Sequence, residues 1–255
     1  MHAKQIPATL LHTFRSVRFS SALGAMSALL LAGCAVDAPT GLHSPPASAR
    51  LAGSSATTLG SASSFAALGA STVTCTGAGT NTGDVGVSPG SSITGFNPDC
   101  TLTGTLHAAN GASAAAQADA ATAYGRLSAT PCNVTYGAVQ ELSGLTLNPG
   151  VHCFPSSAQV SAGTLTLNGP GPFIFKVTST FITFVGSSVI LTGGATCDNI
   201  FWLVGSSATV GGPVAGNILA YTSIGMDSGA TLSGRAIALN GAVTMSGQNG
   251  VSICG

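Results

Sequence analysis

Hydrophobic and polar positions alternate along this chain in short stretches, and the stretches repeat. After Leu142, segments such as 163–169 (GTLTLNG), 187–194 (SSVILTGG), 205–212 (GSSATVGG), 229–234 (GATLSG) and 241–247 (GAVTMSG) read as variants of one unit. Alternation of period two, broken by Gly, Ser and Thr corners, predicts strands. Four strands are apolar on both sides: Phe173–Phe175, Ile200–Val204, Asn217–Ala220 and Ala236–Leu239. Both of their faces must be covered. Each is followed by a strand with one polar side, at Phe181–Phe184, Ser207–Val210, Ser223–Met226 and Ala242–Met245. A third set lies at Leu165–Leu167, Val189–Thr192 and Ala230–Ser233. Three strands per unit, at a period of about 17 to 27 residues, predict a mainly β fold of the solenoid type. A two-sheet sandwich is the alternative.

The texture changes between His107 and Ala129, where 11 of 23 residues are Ala and none is Pro. This composition predicts one long helix over about 107–128, roughly 30 Å in length, ended by Thr130-Pro131. It is the element available to cover the two-sided strands. Six coils stacked at roughly 4.8 Å would span about 29 Å, a length the helix matches. From Leu59 to Thr105 the pattern is again strand and turn.

The N-terminus reads differently. Lys4, Arg15 and Arg18 precede an apolar stretch, Ala22 to Ala32, that closes in Leu31-Ala32-Gly33-Cys34. That order makes an export signal, and the apolar core falls short of the ~20 residues of a membrane span. Leu-Ala-Gly-Cys resembles the bacterial lipobox, which implies lipidation of Cys34. Ala35 behind it implies the outer membrane or cell surface; plain secretion is the alternative. The expected organisation is a lipoprotein-type signal at 1–34, a Pro/Ser/Ala-rich flexible linker at 35–57 and one domain over 58–255. The membrane is then touched only through Cys34.

Only 5% of the residues are charged, against about a quarter in ordinary soluble proteins. Beyond Cys34 four basic residues face seven acidic ones, a net charge of −3. No basic patch exists to meet a nucleic acid. No two acids lie closer than 15 residues in sequence, which argues against the paired carboxylates of a solenoid hydrolase. Asp84 and Asp227 read as turn residues. His107, at the expected helix start, and His152 lack a third metal ligand nearby. Trp202, on a two-sided strand, belongs to the core. No catalytic residue, metal site or cofactor is expected. The six cysteines after Cys34 suggest disulfides in an exported chain. Cys132–Cys153, which closes a short loop, is the first expected pair, followed by Cys75–Cys100 and Cys197–Cys254.

Several blocks, in order, resemble a known family: 59–74 (LGSASSFAALGASTVT), 83–96 (GDVGVSPGSSITGF), 105–124 (TLHAANGASAAAQADAATAY), 142–154 (LSGLTLNPGVHCF), 199–212 (NIFWLVGSSATVGG) and 215–245. They are similar to the microbial ice-binding (antifreeze) proteins. The resemblance implies a right-handed, triangular β-solenoid with the long α-helix packed along one face. It also implies that an early segment returns beside the last coils, and that a flat exposed face meets the ice crystal surface, the protein acting as a monomer.

Strand alternation supplies the residues for such a face. With Ala208 and Val210 inward, Ser207 and Thr209 point outward, joined on neighbouring coils by Ser223, Thr244 and Ser246, with Thr183 as a continuation. A second face would show Thr164, Thr166, Thr192, Thr231 and Ser233. Gly225 stands where the pattern expects Thr, Ile182 and Phe184 bracket Thr183, and Ile190 and Pro213 interrupt the second face. A cell-surface adhesin or glycan-binding module is the competing function for the same scaffold.

Overall fold

The computed structural model describes residues 59–254; the expected signal, Cys34 and the linker lie outside them. The chain enters as a short 3-10 turn and then winds through β1 (Phe65–Gly69), β2 (Thr72–Thr76) and β3 (Thr80–Thr82). A second coil holds β4 (Asp84–Val87), β5 (Ser92–Thr94) and β6 (Thr101–Thr103). β7 (Leu106–Ala108) leads into α1 (Gly111–Ser128). Winding resumes with β8 (Val134–Thr135), β9 (Gln140–Glu141) and β10 (Thr146–Leu147), then β11 (Gly150–Phe154), β12 (Ala158–Val160) and β13 (Gly163–Asn168). Next come β14 (Phe173–Val177), β15 (Phe181–Thr183) and β16 (Ser187–Thr192), then β17 (Ile200–Val204) and β18 (Ala208–Val210). The last coils are formed by β19 (Pro213–Ala220), β20 (Ile224–Met226), β21 (Thr231–Ala238), β22 (Val243–Ser246) and β23 (Gly250–Ser252).

Every strand pairing is parallel, and each coil contributes one strand to each of three sides. β19 and β21 run around a corner and serve two sides, turning at Gly216 and Gly234. Both glycines have φ in the left-handed region, and a Cβ on Gly234 would strike the Gly216 carbonyl, so only glycine fits there. The first two coils do not stack below β8. They close the opposite end, β1 on β21, β2 on β22 and β3 on β23. The flat side consequently holds eight strands, β9-β12-β15-β18-β20-β22-β2-β5, about 38 Å at roughly 4.8 Å per coil. That is longer than the six coils expected, because the returning segment adds two.

Inward side chains from all three sides fill one apolar interior, including Val73, Phe175, Val210, Leu232 and Met245. Trp202 is buried there, stacked between Phe175 and Phe181 at ring-centre distances of 3.9 and 4.2 Å. Its Nε1–H donates to the Ala215 carbonyl at 3.0 Å. A second apolar layer lies between the outer side of the two-sided strands and the helix. Val151, Ile174, Phe201, Leu203, Leu219 and Ile237 meet Ala116, Ala120, Ala123 and Leu127. The helix residues recur at steps of four, three and four, one helical stripe, and their small size lets the axis lie close to the sheet.

The helix starts at Gly111, not at His107. His107 pairs with Gly86 within β7 and β4, and Asn110 forms a reciprocal cap with Ser113: Ser113 N–H donates to Asn110 Oδ1 (3.0 Å) and Asn110 N–H to Ser113 Oγ (3.2 Å). Such a cap sets a helix start. At the other end Lys176 Nζ donates to the Thr130 carbonyl at 3.0 Å, a cation where the helix dipole is negative. The expected disulfides Cys132–Cys153, Cys75–Cys100 and Cys197–Cys254 are all present. Buried Arg235 fastens the returning segment, donating from Nε to the Ser63 carbonyl (2.7 Å) and from Nη1 to Asn217 Oδ1 (2.8 Å) and Asp198 Oδ1 (3.1 Å).

Candidate functional site

On the flat side, strand register fixes which residues stand in line. The outward middle column runs Glu141, Gln159, Ile182, Thr209, Gly225, Thr244, Thr74, Thr94. Two residues before each of these, at or just ahead of the strand starts, stand Val139, Ser157, Thr180, Ser207, Ser223, Ala242, Thr72 and Ser92, a second column that carries hydroxyls at all but Val139 and Ala242. Neighbours within a column are about 4.8 Å apart and the columns about 6.6 Å. Hydroxyls on adjacent coils touch: Thr94 Oγ1 donates to Thr74 Oγ1 at 3.3 Å, and Ser157 and Thr180 share a 2.9 Å hydrogen bond. From β12 to β5 no strand of this sheet contains a charged residue. Ser246 and Thr76 extend the array along one margin, where Asp227 is also exposed.

Glu141 closes the column at the β9 end. Burial pushes its pKa up, but hydrogen bonds from the side chains and backbone of Ser143 and Ser161 outweigh this and hold it at about 2. The carboxylate accepts from Ser143 N–H (2.8 Å), Ser143 Oγ (2.6 Å) and Gln159 Nε2 (3.1 Å). It serves as a fastener of the first corner.

Five of the residues expected on this side are on it: Ser207, Thr209, Ser223, Thr244 and Ser246. Thr183 is not. It is 1% exposed and points inward, its Oγ1 accepting from Gly211 N–H at 3.1 Å. Ile182 takes the outward place, and Phe184 beyond it is 45% exposed. Thr72, Thr74, Thr76, Ser92 and Thr94 also stand on this side, beyond the residues that the repeat pattern after Leu142 marks out. The alternation Thr72-Val73-Thr74-Cys75-Thr76 signals a strand with one hydroxyl side, but nothing local says that β2 lies against β22.

The third side carries Thr164, Thr166, Thr192, Thr231 and Ser233, all pointing outward or partly so. Near the β6 end two further columns form, Thr231-Gly250-Thr80-Thr101 and Ser233-Ser252-Thr82-Thr103. This side is less even. β10, β13 and β16 form a separate three-stranded sheet. Ile190 (45% exposed) and exposed Pro213 stand at the break, and a groove of about 190 Å³ runs past Gly250.

Elsewhere the described residues contain no cluster of three His, Cys, Asp or Glu able to hold a metal ion. His107 stands near Asp84 (3.8 Å), and Asp84 Oδ1 accepts from Thr105 N–H at 2.9 Å. His152 is buried between Tyr136 and the Asn148 carbonyl, and burial lowers its pKa.

Residues 67–251 match the sequence model of a family described as ice-binding-like. The chain is 46% identical over 194 residues to an ice-binding protein of Nostoc sp. (strain HG1), covering 73% of this chain and 71% of that one. To an ice-binding protein of Colwellia sp. it is 32% identical over 208 residues, covering 73% and 80%. Among solved structures, an ice-binding protein from an Antarctic biological consortium superposes with a TM-score of 0.73 at 44% identity, over 77% of this chain and 90% of the other. One from the Antarctic ascomycete Antarctomyces psychrotrophicus gives 0.70 at 37% identity, over 77% and 98%.

Proposed function

The chain belongs to the ice-binding-like family, and from that premise we propose that it adsorbs to ice through the flat eight-stranded side, slowing ice growth and recrystallisation. The observation that carries the choice of side is the register: Thr209, Thr244, Thr74 and Thr94 share one column, free of charged residues from Gln159 to Thr94, on an unbroken sheet. Methyl groups favour caged water and hydroxyls anchor it, each hydrogen bond contributing about 1 kcal/mol net. The array is effective because it is rigid and little order has to be imposed on contact. Substituting Thr209→Tyr places a ring above the array. It should weaken ice-recrystallisation inhibition without changing the melting temperature, and unaltered inhibition by the folded variant would remove this side from the account.

A second reading is supported by the paired columns of the third side near β6, where seven Thr or Ser residues face outward: Thr231, Thr80, Thr101, Ser233, Ser252, Thr82 and Thr103. Export and anchoring at the outer membrane or cell surface through Cys34 are also part of the proposal, supported by Leu31-Ala32-Gly33-Cys34 behind the apolar stretch. Fatty-acid labelling of the full chain should be lost in Cys34→Ala; labelling that persists would refute the anchor.

A further inference from the structure

The middle column of the flat side has one position without a side chain. Gly225 lies in register with Thr209 on one coil and Thr244 on the other. Neither backbone nor packing requires a glycine there. Its φ lies outside the left-handed region, and no atom falls within 4 Å of the place a Cβ would occupy. Gly205, Gly211 and Gly241 differ: a Cβ on each would run into a carbonyl of the neighbouring coil, that of Thr178, Thr183 or Thr222. Glycine inside a strand weakens it relative to a β-branched residue, so Gly225 brings the fold no benefit. Its effect falls on the surface.

The missing side chain doubles the hydroxyl spacing from about 4.8 to about 9.6 Å along the column. Thr244, Thr74 and Thr94 remain a run of three coils. Thr209 is cut off from them by Gly225 and bounded on its other side by Ile182.

We propose that Gly225 is the residue that limits the affinity of this side for ice, by setting the length of the uninterrupted threonine column. The inference rests on the flat side being the adsorbing one. A threonine at this position would join five coils in register, adding one hydroxyl and one methyl between partners already in place and requiring no backbone adjustment.

The test compares Gly225→Thr, Gly250→Thr and Thr244→Tyr with the unaltered chain in ice-recrystallisation inhibition, with thermal melts to establish folding. Gly250 is the matched control on the third side, where a Cβ would also make only ordinary contacts. The expected result is that Gly225→Thr lowers the half-inhibitory concentration about fivefold, the equivalent of ~1 kcal/mol. Gly250→Thr should leave it unchanged and Thr244→Tyr should raise it. If Gly225→Thr shows no gain while Thr244→Tyr loses inhibition, the role of Gly225 is overturned and the flat side stands. If Thr244→Tyr is without effect, or Gly250→Thr alone gains, the flat-side reading itself fails, and the role of Gly225 with it.

Discussion

At Ile182 and Thr183 the sequence permits two strand registers, and hydrophobicity alone favours the wrong one. A one-residue slip moves every side chain of a strand to the other face. With Ile182 inward, Phe181 would have to leave the core, where it stacks on Trp202. The pairing Phe181–Ala208 and Thr183–Val210 decides the matter, and the buried Thr183 hydroxyl is satisfied by Gly211 N–H. Thr209 and Thr244 were legible because both their neighbours are apolar and inward. Thr183 was not, because its partner is a backbone group 28 residues away. Thr183→Val should therefore cost about 1 kcal/mol in chemical denaturation and leave ice-recrystallisation inhibition intact. Lost inhibition in a fully folded Thr183→Val protein would mean that this residue meets ice after all.

At the scale of elements, the two-sided strands and the Ala-rich helix can be read directly, since burial on both faces requires a cover and the helix is the element available. The ends of elements cannot. Composition places His107 in the helix, yet β7 pairs with β4 and the Asn110 cap delays the helix. The coil made by β8, β9 and β10 has its own weakness, acid. Its Tyr136 hydroxyl bonds to His152 Nδ1 of the next coil at 2.9 Å. The His152 pKa is lowered from 6.5, chiefly by burial, so the unfolded chain binds the proton more readily than the folded one. Stability should be level above pH 6.5 and decline as pH falls below it. Glu141, held at about 2 against an ordinary 4.5, contributes stability above pH 4.5 that is lost as pH falls toward 2. Thermal melts between pH 8 and pH 3 should show both declines, and His152→Phe should flatten the first. A melting temperature that rises on acidification from pH 7 to 5 would contradict the assignment of a neutral, buried His152.

At the scale of the whole molecule, the adsorbing surface belongs to two distant parts of the chain. Coils from the second half supply Thr209 and Thr244, and the returning N-terminal coils supply Thr74 and Thr94 in the same column. Arg235 and the Cys75–Cys100 and Cys197–Cys254 bridges lie in or beside the coils that join them. The repeat pattern after Leu142 announced a lattice, but its full length depends on pairing across some 170 residues that no local pattern encodes. The most direct measurement is adsorption of fluorescently labelled chain to a single ice crystal, comparing Thr74→Tyr on the flat side with Thr231→Tyr on the third. Strong loss of surface fluorescence for Thr74→Tyr, with Thr231→Tyr close to the unaltered chain, is the expected result. Full adsorption by a folded Thr74→Tyr protein would contradict the claim that both parts of the chain form one ice-binding surface.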